Sequence, residues 1–240
     1  MVTCPRRMTN PIILALDVPS ADRAIKLCGD LAPVLGAVKI GSELFTSSGP
    51  ETVRKIRGTG ANVFLDLKFH DIPNTVAKAV TAAVQLDVQM LTIHTSGGTE
   101  MMKTAEEAAQ RAAEKLGTNP PLVLGVTVLT SLDSNAISEV GFQPNVGHQV
   151  ERLATLAVKS GLRGLVCSPL EVTLLRQIIP ANIQLVTPGI RIGPSKDDQK
   201  RTLTPVEALQ AGANWLVIGR PIYAAENPKA AAEQILASIV

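Results

Sequence analysis

The chain has 240 residues, a length typical of one α/β barrel, and 45% of them are apolar, which is enough for a large core. Its 23 Lys and Arg residues nearly balance its 21 Asp and Glu residues, and no basic run is present, which argues against nucleic-acid binding. No stretch approaches the roughly 18 uninterrupted apolar residues of a membrane span.

Cysteine content and the N-terminal sequence point to a protein of the reducing cytoplasm. Cys4, Cys28 and Cys167 are odd in number and far apart, which argues against a disulfide framework or a CxxC metal site. The N-terminal residues carry charge but lack the apolar region of a signal peptide. We expect residues 1–10 to be a flexible extension and residues 11–240 to form a single domain.

Short apolar segments recur along the chain and are predicted to be buried strands. In chain order they are residues 12–16, 34–40, 62–67, 88–93, 122–129, 164–167, 183–186 and 215–218. Ala-rich amphipathic segments lie between them and are long enough to form crossover helices. The clearest of these helices are predicted at residues 20–31, 74–86, 100–116, 149–160 and 205–211.

Alternation of strands and helices is typical of a parallel sheet, and eight strands suggest closure into a single-domain (β/α)8 TIM barrel. A doubly wound open sheet is the alternative. The usual nucleotide-binding motifs of open sheets, G-x-G-x-x-G after a first strand and G-x-x-x-x-G-K-[ST], are not found, which favours the barrel. Because aromatic residues make up only 2% of the chain, the core should consist mainly of Val, Ile, Leu and Ala.

Polar residues follow every predicted strand at its carboxyl end. They are Asp17, Lys39, Asp66, Lys68, His94, Thr130, Ser131, Ser168, residues 188–191, Gly219 and Arg220. In a barrel these strand ends form one mouth, so we expect side chains from distant parts of the chain to meet in one pocket that binds a small molecule.

The densest group of charges lies in LDLKFHDIPNT, residues 65–75, where the third strand is predicted to pass into a helix. Asp66 and Lys68 are two residues apart and therefore share one strand face. Asp71 opens the helical pattern, and Thr75 lies one turn later on the same face. A helix-capping aspartate beside a structural ion pair is the alternative, but the complete spacing favours a functional cluster.

This segment resembles the D-x-K-x-x-D-I-x-x-T motif of the orotidine 5′-phosphate decarboxylase family of bacterial type. Eight further segments resemble the same family in the expected order: LALDVPS, VKIGSELF, IHTSGG, VTVLTS, VTPGIR, DQKR, TPVEAL and VIGRPI. The resemblance implies a carboxy-lyase that converts orotidine 5′-phosphate to UMP and carbon dioxide in pyrimidine nucleotide synthesis. It also implies that no metal or cofactor takes part and that the protein is a homodimer with active sites at its interface.

The same resemblance assigns catalytic roles to three residues. Lys68 is expected to donate a proton to C6 of the pyrimidine, and Asp66 is expected to face the departing carboxylate. Asp71, together with the substrate-binding Thr75, matches residues that reach into the neighbouring subunit's site. From the sequence alone, Asp71 could equally be an N-cap and Thr75 a residue on the helix surface.

Five further matches concern the sugar and the base. Asp17 and Lys39 resemble ligands of the ribose hydroxyl groups, whereas a strand-ending aspartate and a lysine at the barrel rim are the alternatives. Thr130 and Ser131 resemble residues that hydrogen-bond the pyrimidine edge. Pro188 resembles an apolar wall near the departing carboxylate, where it would help to exclude water.

The phosphate site is implied in the loops after the last two strands, the usual phosphate-binding region of such barrels. Its residues are Gly189, Arg191, Gln199, Gly219 and Arg220. The intervening residues 192–198 are rich in turn formers and are predicted to form a mobile lid. Ile192 and Asp197 depart from the family pattern, which leaves the conformation of this loop open.

Two other functions compete with this prediction. A related barrel enzyme, a Mg²⁺-dependent decarboxylase or aldolase of sugar phosphates, shares the D-x-K-x-x-D core, but the IPNT continuation and the Thr130–Ser131 pair favour the nucleotide. A non-enzymatic nucleotide-binding barrel would be expected to lack Lys68 or Asp66. No metal site is predicted, and His94 is interpreted as a structural histidine because the other histidines show no metal-ligand spacing.

Overall fold

Eight parallel strands form a closed barrel in chain order, with each strand paired to the next and the first paired to the last. The strands are β1 (Ile12–Ala15), β2 (Ala37–Gly41), β3 (Val63–Phe69), β4 (Met90–His94), β5 (Leu122–Val126), β6 (Gly164–Val166), β7 (Gln184–Thr187) and β8 (Trp215–Ile218). The structure, a computed structural model, describes residues 10–192 and 202–239. The predicted (β/α)8 TIM barrel is confirmed, and the open sheet is excluded.

Helices follow the strands and cover the outside of the barrel. They are α1 (Ala21–Leu31), α2 (Ser42–Gly58), α3 (Pro73–Val84), α4 (Gly98–Leu116), α5 (Ser134–Glu139), α6 (Val146–Lys159), α7 (Val172–Ile178), α8 (Pro205–Ala211), α9 (Arg220–Tyr223) and α10 (Pro228–Ala237). The five helices predicted from the sequence are confirmed, and none of their ends is displaced by more than three residues.

Two predicted strands are wrong at one end. The second was predicted from residue 34, but Ala32–Val34 form a 3₁₀ helix with a proline in its first turn, and the strand begins only at Ala37. The fifth was predicted to reach residue 129 but ends at Val126. Beyond that point the Leu132 N–H donates to the Leu129 carbonyl, so this segment is a loop at the barrel mouth.

The apolar side chains form two clusters. Along β1, Ile13 and Ala15 belong to a cluster made of strand residues alone, whereas Ile12 and Leu14 pack with residues of the helices. Because successive strand side chains point to opposite faces, the first cluster fills the barrel and the second lies between barrel and helices. Aliphatic residues dominate both clusters, as predicted, with Phe64 and Trp215 as the aromatic members of the interior.

The amino end of the first strand is tied to the barrel at Asn10. Its side-chain amide donates to the Val34 carbonyl at 2.8 Å, and its side-chain oxygen accepts from the Ile12 N–H at 2.9 Å. The rest of the predicted extension, residues 1–9, lies outside the described residues, as do Gln199 and residues 193–198 of the predicted lid. Within the described parts of the chain, no helix combines the length and apolarity needed to cross a membrane.

Candidate active site

A cavity of about 280 Å³ opens at the carboxyl ends of the strands. Its lining brings together charged side chains from both ends of the chain, as the strand-end pattern predicts. These residues are Asp17, Lys39, Asp66, Lys68, Arg191 and Arg220. Apolar side chains from β5, β6 and β8, among them Val126, Val166 and Val217, form much of the remaining wall. Such a combination of apolar surface with a few convergent polar groups is typical of small-molecule sites.

Four of these residues form a continuous array of alternating charge, here called the charge array: Asp17, Lys39, Asp66 and Lys68. Lys39 Nζ lies 3.3 Å from Asp17 Oδ1 and 3.7 Å from Asp66 Oδ2. Lys68 Nζ donates to the other oxygen of Asp66 at 2.8 Å. Lys39 lies in β2, Asp66 and Lys68 lie in β3, and Asp17 follows the end of β1 by two residues, so the barrel strands position most of the array.

Asp66 is the centre of the array and is largely buried, with 12% of its side chain exposed. Burial is the strongest influence on the pKa of Asp66 and raises it. The ammonium groups of Lys39 and Lys68, with hydrogen bonds from Lys68 and Thr92, outweigh burial and leave this pKa below its usual value of 3.8. Asp66 is therefore an anion near neutral pH, and it is held between two cations.

The backbone of β3 departs from regular strand geometry at Lys68, where φ is +51°. A residue with a side chain adopts this left-handed conformation only at an energetic cost, and such residues cluster at functional sites. The pairing with β4 shifts register between Leu65 and Phe69 at the same place. The predicted contact between Asp66 and Lys68 is confirmed, but it forms across a bulge and not along a regular strand face.

Thr92 in β4 lies directly against this bulge and was not identified from the sequence. Its hydroxyl accepts a hydrogen bond from the Lys68 N–H at 2.9 Å and donates one to Asp66 Oδ1 at 3.0 Å. The residue is fully buried. The available signal was a threonine inside an apolar strand, which alone does not distinguish a functional hydroxyl from a structural one.

Asp71 and Thr75 lie on the exposed surface beside the mouth and not in the lining of the cavity of this single chain. The N-cap of α3 is Ile72, while the Asp71 carboxylate accepts from the Ile72 N–H at 2.6 Å, so the N-cap alternative for Asp71 is wrong. The Ile72 side chain is 67% exposed.

The loops after β7 and β8 form another part of the cavity lining. Pro188, Gly189 and Arg191 line it after β7, and Gly189 has a φ of +80°, a conformation that favours glycine. An isolated bridge between Ile190 and Leu203 joins the two ends of the segment that contains the undescribed residues. These contacts fix the base of the predicted phosphate loop.

After β8, Gly219 and Arg220 also line the cavity, as predicted for the phosphate site. Tyr223 lines it one turn of α9 later and was missed in the sequence. Burial raises the pKa of Tyr223, and the nearby carboxylate of Asp17 raises it further, so its hydroxyl is protonated at neutral pH. It therefore offers a neutral hydrogen-bonding group beside Asp17.

The loop after β5 separates the two residues predicted to bind the base. Thr130 lines the cavity, four residues beyond the end of its strand, whereas Ser131 is exposed on the adjoining turn. Cys167 at the end of β6 is a buried lining residue that the sequence reasoning did not assign. Burial is the main reason that its thiol pKa is raised, so Cys167 is an uncharged part of the wall.

His94 ends β4 beside the array and packs against His70, with the ring centroids 5.4 Å apart. Burial is the main cause that lowers the pKa of His94, and the charges of His70 and Lys68 lower it further. The His94 ring is therefore neutral at pH 7. The structure places two histidines near the mouth where one was expected. Among residues 10–192 and 202–239, no three His, Cys, Asp or Glu side chains are arranged to hold a metal ion.

Comparison with known proteins identifies relatives over nearly the whole chain. Residues 10–235 match the model of the family described as "Orotidine 5′-phosphate decarboxylase / HUMPS family". The orotidine 5′-phosphate decarboxylase of Opitutus terrae is 52% identical over 97% of this chain and 99% of the relative. That of Paramagnetospirillum magneticum is 50% identical over the same shares of the two chains. A crystal structure of orotidine 5′-phosphate decarboxylase from Lactobacillus acidophilus, 37% identical, superposes with a TM-score of 0.86 and covers 96% of this chain and 99% of that one.

Proposed function

The chain belongs to the orotidine 5′-phosphate decarboxylase / HUMPS family, and on that premise we propose that it converts orotidine 5′-phosphate to UMP and carbon dioxide. The single observation that carries this proposal is the charge array at the cavity mouth, with Lys68 Nζ held 2.8 Å from Asp66. The array supplies a fixed anion and a fixed proton donor at one point. In a decarboxylation, the anion would destabilise the substrate carboxylate, and the proton donor would protonate the carbon that carbon dioxide leaves.

In the proposed reaction, the bond between C6 and the carboxylate breaks and carbon dioxide leaves. The electron pair stays on C6, which takes a proton from Lys68 Nζ, and the resulting amine regains a proton from water. General acid catalysis of this kind contributes roughly 10²- to 10⁴-fold. Lys68 also stabilises the developing negative charge at C6, because its ammonium is already in place before the bond breaks.

Asp66 is proposed to face the substrate carboxylate. Two anions about 4 Å apart repel by roughly 4 kcal/mol at an effective dielectric constant near 20, which is about three decades in rate if the departure of carbon dioxide relieves it fully. This repulsion and the proton transfer together fall short of the largest enzymatic accelerations, on the order of 10¹⁷-fold or more. Binding energy from groups remote from C6 must hold the substrate against the array.

Those remote contacts are proposed to come from the rest of the cavity. Asp17 and Lys39 would bind the ribose hydroxyl groups, and Thr130, with Ser131, would bind the pyrimidine edge. Pro188 would exclude water beside the leaving group. The proposed phosphate ligands are Gly189, Arg191, Gln199, Gly219 and Arg220. Both arginines line the cavity from the segments after β7 and β8, apart from the strands that carry Lys39, Asp66 and Lys68, which supports this division.

We propose that turnover needs no metal ion. Each carboxylate of the array already contacts a lysine ammonium, so a divalent cation bound there would face Lys39 and Lys68 at close range. The test is the loss of orotidine 5′-phosphate absorbance in EDTA by the wild-type protein, Lys68→Ala and Lys78→Ala. Lys78 is an exposed lysine of α3 and serves as the matched control.

Turnover in EDTA that Lys68→Ala reduces by roughly 10⁴-fold or more, while Lys78→Ala retains it, is the expected result. The opposite result would be silence in EDTA with activity on a sugar-acid phosphate in Mg²⁺. That would assign the chain to the Mg²⁺-dependent barrel enzymes. Silence on both substrates would favour a binding protein.

We also propose a homodimer in which Asp71 and Thr75 complete the partner subunit's site. Both residues are exposed and lie outside the cavity lining of their own chain, which leaves them available to a second copy of the chain. Inactive Lys68→Ala and Asp71→Ala proteins should regain activity when mixed, because each hybrid dimer then contains one intact site. Random exchange of subunits predicts about a quarter of the wild-type activity. Hybrid dimers without activity would contradict the shared site.

A further inference from the structure

A buried hydroxyl group bonds to the bulge that carries Lys68. Thr92 Oγ1 accepts from the Lys68 N–H at 2.9 Å and donates to Asp66 Oδ1 at 3.0 Å. Asp66 Oδ1 is also the atom that accepts from Lys68 Nζ at 2.8 Å. The Thr92 hydroxyl therefore contacts the backbone of one reacting residue and the side chain of the other.

The direction of these hydrogen bonds is set by chemistry. A threonine hydroxyl has one proton to donate, and a carboxylate near neutral pH can only accept. Because a backbone N–H can only donate, the hydroxyl must accept from Lys68 and direct its proton to Asp66. Thr92 is fully buried, so solvent does not contact its hydroxyl, and removal of the hydroxyl takes one hydrogen bond from each of its two partners.

The two hydrogen bonds of Thr92 help to hold Lys68 in its strained backbone conformation. At a φ of +51° the residue occupies a region that non-glycine residues rarely adopt, so surrounding contacts must hold it there. The register shift between Leu65 and Phe69 removes Lys68 from the regular pairing of β3 with β4. Its N–H instead bonds to the side chain of a β4 residue, which replaces the missing partner.

We propose that Thr92 is a positioning residue, whose hydroxyl locks the Lys68 bulge and the Asp66 carboxylate into one arrangement that sets where the proton donor stands. This inference rests on the proposed decarboxylase function. Thr92 does not line the cavity and is not expected to touch substrate. Its effect should therefore fall on the chemical step and not on the binding of phosphate or ribose.

The chain offers close control variants. Thr92→Val replaces the hydroxyl with a methyl group of similar size, whereas Thr92→Ser keeps the hydroxyl and loses the methyl group. Thr95 is another fully buried threonine, just beyond β4, and its hydroxyl donates to the Val126 carbonyl at 2.8 Å, away from the array. Thr95→Val thus removes a buried hydroxyl of the same kind without touching Lys68 or Asp66.

We expect Thr92→Val to lower kcat by roughly 10- to 100-fold with KM changed less than about threefold, since a hydrogen bond to a charged group is lost. Thr92→Ser should retain kcat within about threefold, and Thr95→Val should behave like the wild type. The acidic limb of the kcat profile should move to higher pH in Thr92→Val alone, because the lost hydrogen bond helps to lower the pKa of Asp66.

Steady-state kinetics across pH, together with thermal unfolding of each variant, test the positioning role of Thr92. If Thr92→Val does not fold, Thr92→Ala removes the same hydroxyl without filling its place and is measured instead. Wild-type turnover with an unchanged kcat and pH profile in the hydroxyl-free variant would overturn the inference and leave the proposed function standing. Equal losses in Thr92→Val and Thr95→Val would also overturn it, since they would reveal only a structural effect. A wild-type protein that fails to turn over orotidine 5′-phosphate would overturn both the proposed function and the inference about Thr92.

Discussion

The two sides of the cavity hold their charges in different ways. On the β1–β3 side, the four residues of the charge array alternate in sign and lie 2.8 to 3.7 Å from their neighbours. On the β7–β8 side, the charged residues that line the cavity are Arg191 and Arg220, and none of the described residues lining that side is acidic. The charges of the first side are thus balanced, whereas the described charged residues that line the second side are cationic.

This difference suits the β1–β3 side to the chemical step and the β7–β8 side to binding the substrate phosphate. A balanced array fixes the direction of each charged group, because every member is oriented by an opposite charge, and fixed groups need little rearrangement when charge develops on a substrate. A side with excess positive charge suits a dianionic phosphate, with arginine providing a forked donor. We therefore expect Asp66 and Lys68 of the array to act on the chemical step, whereas Arg191 and Arg220 act through substrate binding.

Of the substitutions that distinguish the two sides, Arg220→Ala should have the largest effect. Loss of a charge-assisted contact to phosphate should lower kcat/KM by roughly 10²- to 10³-fold and raise KM, because the binding energy of the remote group is lost. Arg54→Ala is the control, since Arg54 is an exposed arginine of α2 that pairs with Glu51. Initial rates over a range of substrate concentrations measure both constants. An unchanged kcat/KM in Arg220→Ala would reject the phosphate role.

A smaller effect should follow when the balance of the array is removed by Asp66→Asn. This change leaves Lys39 and Lys68 near each other without their shared anion, and we expect a loss of about 1–3 kcal/mol in the free energy of unfolding at pH 7. Urea unfolding of both proteins measures this difference. A variant as stable as the wild type would show that the array is held entirely by the surrounding barrel.

The pH dependence of that difference tests its origin. Because the pKa of Asp66 is lowered in the folded state, its contribution to stability is complete above the unfolded value of 3.8 and is lost as pH falls through the folded value. The wild type should therefore lose more stability than Asp66→Asn as the pH is lowered below about 4. Parallel curves for the two proteins in this range would contradict the electrostatic explanation.

The fold was predictable where the apolar pattern is unbroken and failed where backbone geometry interrupts it. The eight strands and the uninterrupted helices such as α4 follow from periodicity alone. The helix at Ser42–Gly58 was not among the clearest predicted helices, and Gly49, with a φ of +68°, and Pro50 kink it in the middle. Periodicity assumes a regular backbone, and a kinked helix does not present one continuous apolar stripe.

The same limit explains which parts of the site were found. Asp66 and Lys68 were identified because both are charged and closely spaced, a pattern visible in the sequence. The left-handed φ of Lys68 has no sequence signal, since lysine has no preference for that conformation. Thr92 was missed for the related reason that its role depends on the bulge, which creates the unpaired N–H that the threonine accepts from.

The smallest expected effect concerns how tightly the balanced side is packed, and it is tested by Gly41→Ala. A Cβ atom at Gly41 would lie 3.1 Å from Lys39 Nζ and 3.9 Å from Asp17 Oδ1, so the flexible end of Lys39 would have to move by a few tenths of an ångström. Because Lys39 and Asp17 are the proposed ribose ligands, KM should rise by about two- to fivefold while kcat stays within about twofold. Gly29→Ala in α1 is the control, since a Cβ there meets no atom within 4 Å.

If both variants have wild-type kinetics, the array tolerates small displacements, and its precise spacing does not set substrate affinity. If Gly41→Ala instead lowers kcat as strongly as it raises KM, the displacement of Lys39 is transmitted through Asp66 to Lys68, and the balanced side acts as one unit.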